Sequence, residues 1–492
     1  MSDHKETNET AVEIVIGLVS PVGVNLEDFQ RTLESILLQY GYTANTVHLS
    51  QVASSILSDS RADSSPCHSE FDRITTGMEI GNKLRHQADR GDALAIAAID
   101  SIYSKRNNNA PLDGIAHIIR SLKHPDEVET LREVYGKGFY LVGVTSSYSS
   151  RREFLGTVKG LSDEQVEILI KRDDAERDKL GQKTRDVFQQ ADAFISMDSD
   201  TKESDIRRIT DLIFGCPHIH PTKDEFAMFM ANASALRSAD LSRQVGAVIL
   251  NSEGDLIATG ANDVPKAGGG LYWPDERDER DYAWGYDSNE KIKYELILEI
   301  VKSIRPHIEG ITIPVAELTD QQRESLISHG KQLLRDTGLL DITEYGRAVH
   351  AEMEAMLSCA RNGSPTLGCT LYTTTYPCHN CAKHIVASGV KEVVYIEPYP
   401  KSFARILHKD SIFIEGETEE GEKKVIFSAF VGVGPRRFMD LFSMKLGSGR
   451  KLRRKVDGKV IDWKRSNASV RVPMLPMSYI DKEAALLASL KS

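Results

Sequence analysis

The stretch AVHAEMEAMLSCARNGSPTLGCTLYTTTYPCHNCAKHIVASGVKEVVYIE, residues 348–397, decides how the second half of the chain folds. It reads as a helix, a strand (Cys369–Thr375), a helix (Cys378–Ser388) and a strand (Lys391–Ile396), the alternation of an α/β layer. Both helices open on metal-binding residue types. His350 starts the first; Cys378 and Cys381 start the second, three residues apart and so on one face. Pro377 suits the first turn of that helix, where its missing N–H costs nothing. The positive end of the helix favours the thiolates that a metal needs. One imidazole and two thiolates supply three ligands and leave the fourth position of one catalytic Zn2+ open. Glu352 then stands ready to move protons at that position. A structural zinc site would close with four protein ligands, and His379 and His384 are near enough in sequence to compete for that role.

Outward from this stretch the same architecture continues. EFAMFMANASALRSADL reads as a helix, and QVGAVILNSEGDLIATGAND as two strands joined by the turn Asn251–Asp255. An insertion over 265–345 follows, with the glycine run 268–270, the charge run DERDERD, and helical patterns near Lys291–Val301 and Gln321–Arg335. Before it, the polar and proline-punctuated segment from Asp198 to Thr222 separates a first domain, 1–222, from a second, 223–492. The first domain alternates β-like runs (Val12–Val19, Gly114–Ile119, Phe139–Thr145, Ala193–Ser196) with helices (Leu26–Gln39, Ala93–Tyr103, Asp126–Tyr135, Arg185–Gln190). That is an α/β domain around a largely parallel sheet.

A chain of 492 residues exceeds one growing core, so two domains are expected. A net charge of -11 argues against a protein built to wrap nucleic acid and requires any small anion to be met by a local cationic pocket. The six cysteines are scattered apart from Cys378 and Cys381, so the close pair reads as metal-binding rather than as part of a disulfide framework. The N-terminus lacks the pattern of a signal peptide, and no apolar run of roughly 18 residues is present. A cytoplasmic protein with no membrane partner is the expectation.

His350-Ala351-Glu352 with Pro377-Cys378-His379-Asn380-Cys381 resembles the signature of the zinc nucleobase deaminases. RSADLSRQVGAVIL (237–250), TGAND (259–263), HAEMEA (350–355) and YPCHNC (376–381) resemble the deoxycytidylate branch of the cytidine deaminase superfamily. The resemblance implies that Asn262 holds the sugar hydroxyl and that the backbone around Ala351 and Tyr376 lines the base pocket. IIRSLKHPDEVETLR (118–132), FYLVGVT (139–145) and residues 172–195 resemble the nucleotide-kinase-like domain of bacterial anti-phage deoxycytidine triphosphate deaminases. The fold implied is an N-terminal P-loop-kinase-like three-layer domain followed by a cytidine-deaminase-like α/β/α domain. The activity implied is deamination of dCTP, and often dCMP, starving phage DNA synthesis. Partners implied are deoxycytidine nucleotides, a regulatory nucleotide or small RNA, and further copies of the chain. The first domain departs from a working kinase: Gly17-Leu-Val-Ser-Pro-Val-Gly23-Val-Asn25 lacks the lysine and hydroxyl residue of a P-loop. Phosphoryl transfer is therefore not expected, and Gly17, Ser20 and Gly23 become candidates for regulatory nucleotide binding, with Arg151, Arg152, Arg172 and Arg177 nearby. Arg436, Arg437, Tyr399, Lys401 and Ser402 are candidates to meet a triphosphate, with solvated surface charge as the alternative, and the basic cluster Arg450–Lys455 reads as a solvated tail in preference to an RNA contact. Cys216, His218 and His220 have ligand chemistry but read as a linker in a proline-bounded turn. The competing readings are a housekeeping dCMP deaminase, a polynucleotide cytosine deaminase and a zinc scaffold without activity.

Overall fold

The computed structural model describes residues 12–58, 69–106, 110–174, 178, 180–274, 277–304, 319–334, 345–399, 402–414 and 424–489. Cys67, Arg177 and Lys401 lie outside the described residues, as does part of the 265–345 insertion.

The described strands build two six-stranded sheets and a small hairpin. In the first sheet β1 (Ile14–Val19), β2 (Thr43–His48), β3 (Ile115–Arg120), β4 (Phe139–Thr145) and β5 (Ala193–Ser196) run parallel in the order 2-3-1-4-5. All six residues of β1 are buried, as expected of a central strand covered on both faces. β2, TANTVH, lies at the edge and buries Val47 alone, so its polar composition hid it from a reading based on apolar runs.

Gly17 stands apart from Ser20 and Gly23, which line the cleft beside β1. It lies inside β1, where an added Cβ would meet Leu122 at 2.6 Å and Phe139 at 2.7 Å, so its smallness serves strand packing. The loop proper begins at Ser20. Gly23 there has φ +92°, and the Val22 N–H donates to Asp173 Oδ2 at 2.7 Å. Lys123, from the loop after β3, donates to the Ser20 carbonyl and to Asp173, each at 2.7 Å.

The second sheet contains β6 (Gly246–Leu250), β7 (Leu256–Ala261), β8 (Thr370–Thr375), β9 (Glu392–Glu397), β10 (Ile412–Ile414) and β11 (Val425–Ala429), ordered 10-11-9-8-6-7. β6 pairs antiparallel with β7 and β8, whereas β8, β9, β11 and β10 are parallel. The two-residue period of β6 sends Ala247 and Ile249 to one core, shared with the helices Ala351–Asn362 and His379–Ala387. Val248 and Leu250 point the other way, onto the helix Lys223–Ala235, and that layer is continuous with the core of the first sheet. Two glycines allow these helices to lie close. A Cβ on Gly246 would come within 1.9 Å of the Ala231 carbonyl oxygen, and one on Gly260 within 2.1 Å of the Ala351 carbonyl oxygen.

After β11 the chain returns to the first sheet. β12 (Gly432–Val433) pairs antiparallel with β5, the helix Pro435–Phe442 follows, and the helix Pro476–Ser489 packs beside the helix Ala93–Tyr103. The helix Lys223–Ala235 opens on a capping box, Thr222 with Glu225. Among the described residues no helix is long and apolar enough to cross a membrane.

Candidate active site

The site is built where β8 ends. Tyr376 donates its N–H to the Glu397 carbonyl at 2.7 Å, which holds the Tyr376-Pro377-Cys378 turn against β9. Cys378 is not in the helix, as the sequence reading had it, but caps it. Its backbone is extended (φ -69°, ψ 165°), and its Sγ accepts the Cys381 N–H at 3.4 Å. The short side chain thus satisfies one of the orphan amides of the helix, and Pro377 precedes the cap instead of occupying the first turn. His350 caps the helix Ala351–Asn362 with its backbone extended and its imidazole unused for capping. The ring is therefore available elsewhere, and Nδ1 sits 3.3 Å from the Sγ atoms of both Cys378 and Cys381.

These three residues form the one cluster of potential ligands found among the described residues, with donor atoms all within 4.8 Å of one another. Zinc bonded at about 2.05 Å to nitrogen and about 2.3 Å to sulfur separates tetrahedral N and S ligands by about 3.6 Å, so the trio needs only a small outward relaxation. Cys378 is held below the ordinary thiol range, chiefly by its hydrogen bond with Cys381 and also by His350. Cys381 is pushed up by the same hydrogen bond and by burial. His379 and His384 do not join the trio. His379 packs edge-on to Phe403 at 5.9 Å, and His384 Nδ1 bonds the Asn380 carbonyl at 2.7 Å. A three-ligand set with an open fourth position fits a reactive zinc better than a structural one.

Glu352, in the first turn of the helix that His350 caps, is buried and hydrogen-bonds Cys381. Burial raises its pKa despite the opposing His350, the disposition of a carboxyl that takes and returns a proton.

His350, Ala351, Glu352, Cys378, Asn262, Tyr376 and Tyr399 line one cavity of about 320 Å³, within the range of small-ligand sites. Ala351 is fully buried, and the Tyr376 ring stands edge-on to Tyr395 at 4.9 Å. Asn262 accepts the Val245 N–H at 2.6 Å and donates to the Arg243 carbonyl at 2.8 Å, which leaves one amide hydrogen for a ligand.

The cations expected for a triphosphate are placed otherwise. Arg437 is buried on the first sheet, donating to the Phe139 carbonyl and lying over the Tyr140 ring at 4.7 Å, because the helix that carries it packs there. Neither Arg436 nor Arg437 lines the cavity, and Ser402 holds the turn by donating to the Pro377 carbonyl at 2.8 Å. The cavity takes its cations from Arg243, Arg280, Lys293 and Arg347. Arg280 and Lys293 belong to the insertion, whose charge run showed no periodicity that would place them. Cys216, His218 and His220 form no cluster; His218 bonds the Ile461 carbonyl at 2.9 Å.

Residues 221–397 match the family described as the cytidine and deoxycytidylate deaminase zinc-binding region. ComE operon protein 2 of Bacillus subtilis is 46% identical over 65 residues, covering 13% of this chain and 34% of that protein. The deoxycytidylate deaminase of Enterobacteria phage T2 is 52% identical over 54 residues, 11% of this chain and 29% of that protein. Human deoxycytidylate deaminase is 24% identical over 172 residues, 35% of this chain and 63% of that protein. The chain thus spans about a third of the length of the first two relatives. The His350, Cys378 and Cys381 trio and the strands β6 to β9 thus lie within the residues that match the zinc-binding region of the cytidine and deoxycytidylate deaminases.

Proposed function

We propose that this chain hydrolytically deaminates cytosine deoxynucleotides, dCTP and dCMP, to the uracil nucleotides and ammonia. The observation that carries the reading is a buried carboxyl, Glu352, beside a three-donor metal cluster in one nucleotide-sized cavity. His350, Cys378 and Cys381 would hold a zinc, which would supply water activated near neutral pH. Glu352 would take a proton from that water and give it to the ring nitrogen as the oxygen adds at C4, then take the second proton from the C4 hydroxyl and hand it to the amino group, which leaves as ammonia. Asn262 orients the sugar, and the walls at Ala351 and Tyr376 exclude bulk water from the base.

In this reading dCTP is the substrate that matters in the cell, and its removal protects against phage. The likeness of residues 118–195 to the kinase-like domain of anti-phage dCTP deaminases supports this. The first domain would then read a regulatory nucleotide or small RNA. Its cleft lies at the carboxyl ends of β1, β2 and β3, where open α/β sheets bind ligands, and is lined by Ser20, Gly23, Arg120 and Lys123. Arg151 packs against Gly23, whereas Arg152 and Arg172 are engaged with Asp163 and Glu79.

The test is direct. Zinc-loaded protein is incubated with dCTP, dCMP, CTP and single-stranded DNA, and ammonia and uracil products are read. Product from the deoxynucleotides is expected. Product from the polymer alone would overturn the proposal, as would no product from any substrate at full zinc occupancy.

A further inference from the structure

The loop after β1 lacks the lysine of a P-loop, yet it holds an anion supplied by the chain itself. Asp173 is fully buried near the end of the helix Asp163–Asp174, and its carboxylate turns into the loop. Oδ2 accepts the Val22 N–H at 2.7 Å. Oδ1 accepts Lys123 Nζ at 2.7 Å and the Thr184 hydroxyl at 3.1 Å. A loop amide and a lysine are the donors with which a P-loop holds phosphate. Here the lysine comes from the loop after β3, and a carboxylate takes both donors.

The arginines of the cleft, and Lys159, are committed elsewhere. Arg85 pairs with Glu127 at 2.7 Å, Arg73 and Lys159 pair with Glu70 at 2.7 and 3.3 Å, and Arg120 donates to Gln30 at 3.1 Å. Lys123 also donates to the Ser20 carbonyl at 2.7 Å, so its charge stays at the loop, and its side chain is 15% exposed. Packing fixes the carboxylate there. Val166, Leu169 and Ile170 of its helix are buried with Leu155, and Val22 of the loop packs on the same cluster.

We infer that Asp173 is a built-in occupant of the anion site of this loop: it closes the site to phosphate, and a protein without it takes inorganic phosphate between Lys123 and the Val22 amide. Removing the carboxylate alone leaves a largely buried ammonium with no counter-charge, and such a charge draws in an anion. Asp173 lines a cleft of about 390 Å³, which gives the larger oxyanion room to enter. A phosphate-bearing regulator of the first domain must displace Asp173 in order to use the loop. Only that last consequence rests on the regulatory role proposed for the domain.

The experiment melts the full chain, as wild type, Asp173→Ala and Asp173→Ser, in sodium chloride and in sodium phosphate of equal ionic strength at neutral pH. In chloride both variants should melt below wild type. Phosphate stabilises folded proteins in general, so the quantity read is the rise in excess of wild type. An excess of roughly 2–5 °C is expected in both variants, as for a ligand at about ten times its Kd. Adding Lys123→Met to Asp173→Ser should abolish it. Asp173→Ser keeps a hydroxyl for the Val22 N–H and carries the test if Asp173→Ala does not fold; Asp173→Ala that is unfolded in chloride and folded in phosphate would support the inference further. Equal phosphate shifts in wild type and Asp173→Ser, an excess that survives Lys123→Met, or failure of both single variants to fold in either salt would overturn it. Melting reads neither zinc nor turnover, so these outcomes are separate from the success or failure of the deaminase assay.

Discussion

Glu352 and Cys378 lie in the same cavity and should fail differently. Glu352 is not one of the three clustered donors, so Glu352→Ala should keep zinc while turnover falls roughly 100- to 10,000-fold, the contribution of a positioned general acid and base. Cys378→Ala removes one of three donors together with the sulfur that caps the helix His379–Ala387. Zinc and activity should disappear together; metal analysis beside an ammonia assay separates the two outcomes. The donor trio and Glu352 were legible because zinc chemistry demands those residue types at helix starts. The role of Arg437 was not: Arg436 and Arg437 are equivalent in sequence, and it is the packing of their helix on the first sheet that buries one of them.

At the level of elements, the helix carrying Glu352 keeps its place through a glycine. Gly260→Ala would set a methyl 2.1 Å from the Ala351 carbonyl oxygen and 2.5 Å from the Ala355 nitrogen, both backbone atoms that cannot rotate aside. The helix start must move. A loss of about 1–3 kcal/mol is expected, as for other overpacked sites, with kcat falling in the zinc-loaded protein; thermal melting and kinetics check each part. Glu225 is the corresponding anchor between units. It is fully buried and accepts the N–H groups of Thr222 and Val433, each at 2.7 Å, and pairs with Arg208. Glu225→Ala should cost about 3–5 kcal/mol in a denaturant titration, the usual effect of breaking a buried ion pair. Thr222 and Glu225 stand three residues apart, so their pairing is local. The third partner, Val433, lies 208 residues away and left no local sign.

Over the whole molecule, one buried charge network closes the first unit with the end of the chain. Arg106 bonds Glu13 beside β1 and Glu483 in the helix Pro476–Ser489, and Tyr479 and His117 also bond Glu13. Burial acts to raise the pKa of Glu13, but its bonds to His117, Arg106 and Tyr479 outweigh this and hold it at about 2, against an ordinary 4.5. A depressed carboxyl stabilises the fold above its unfolded pKa and loses that contribution as pH falls through the folded value, so the loss lies between about pH 4.5 and 2. Glu483 is shifted upward, chiefly by burial, and does not add to this window. Glu13→Gln should lower stability at pH 7 and flatten the decline between pH 4.5 and 2, read as denaturant midpoints across that range.

The α/β alternation and the grouping of one imidazole, two thiols and a carboxyl were written in the sequence, because periodicity, helix capping and metal coordination act over a few residues. The sequence also placed Phe139–Thr145 and Ala193–Ser196 as strands, since buried parallel strands are written as unbroken apolar runs. Long-range packing set Gly17 within a strand, put Arg243 but not Arg437 at the cavity, and returned residues 432–489 to the first sheet. Those outcomes depend on which surfaces meet across hundreds of residues, and the charge or size of a side chain does not say what will be packed against it.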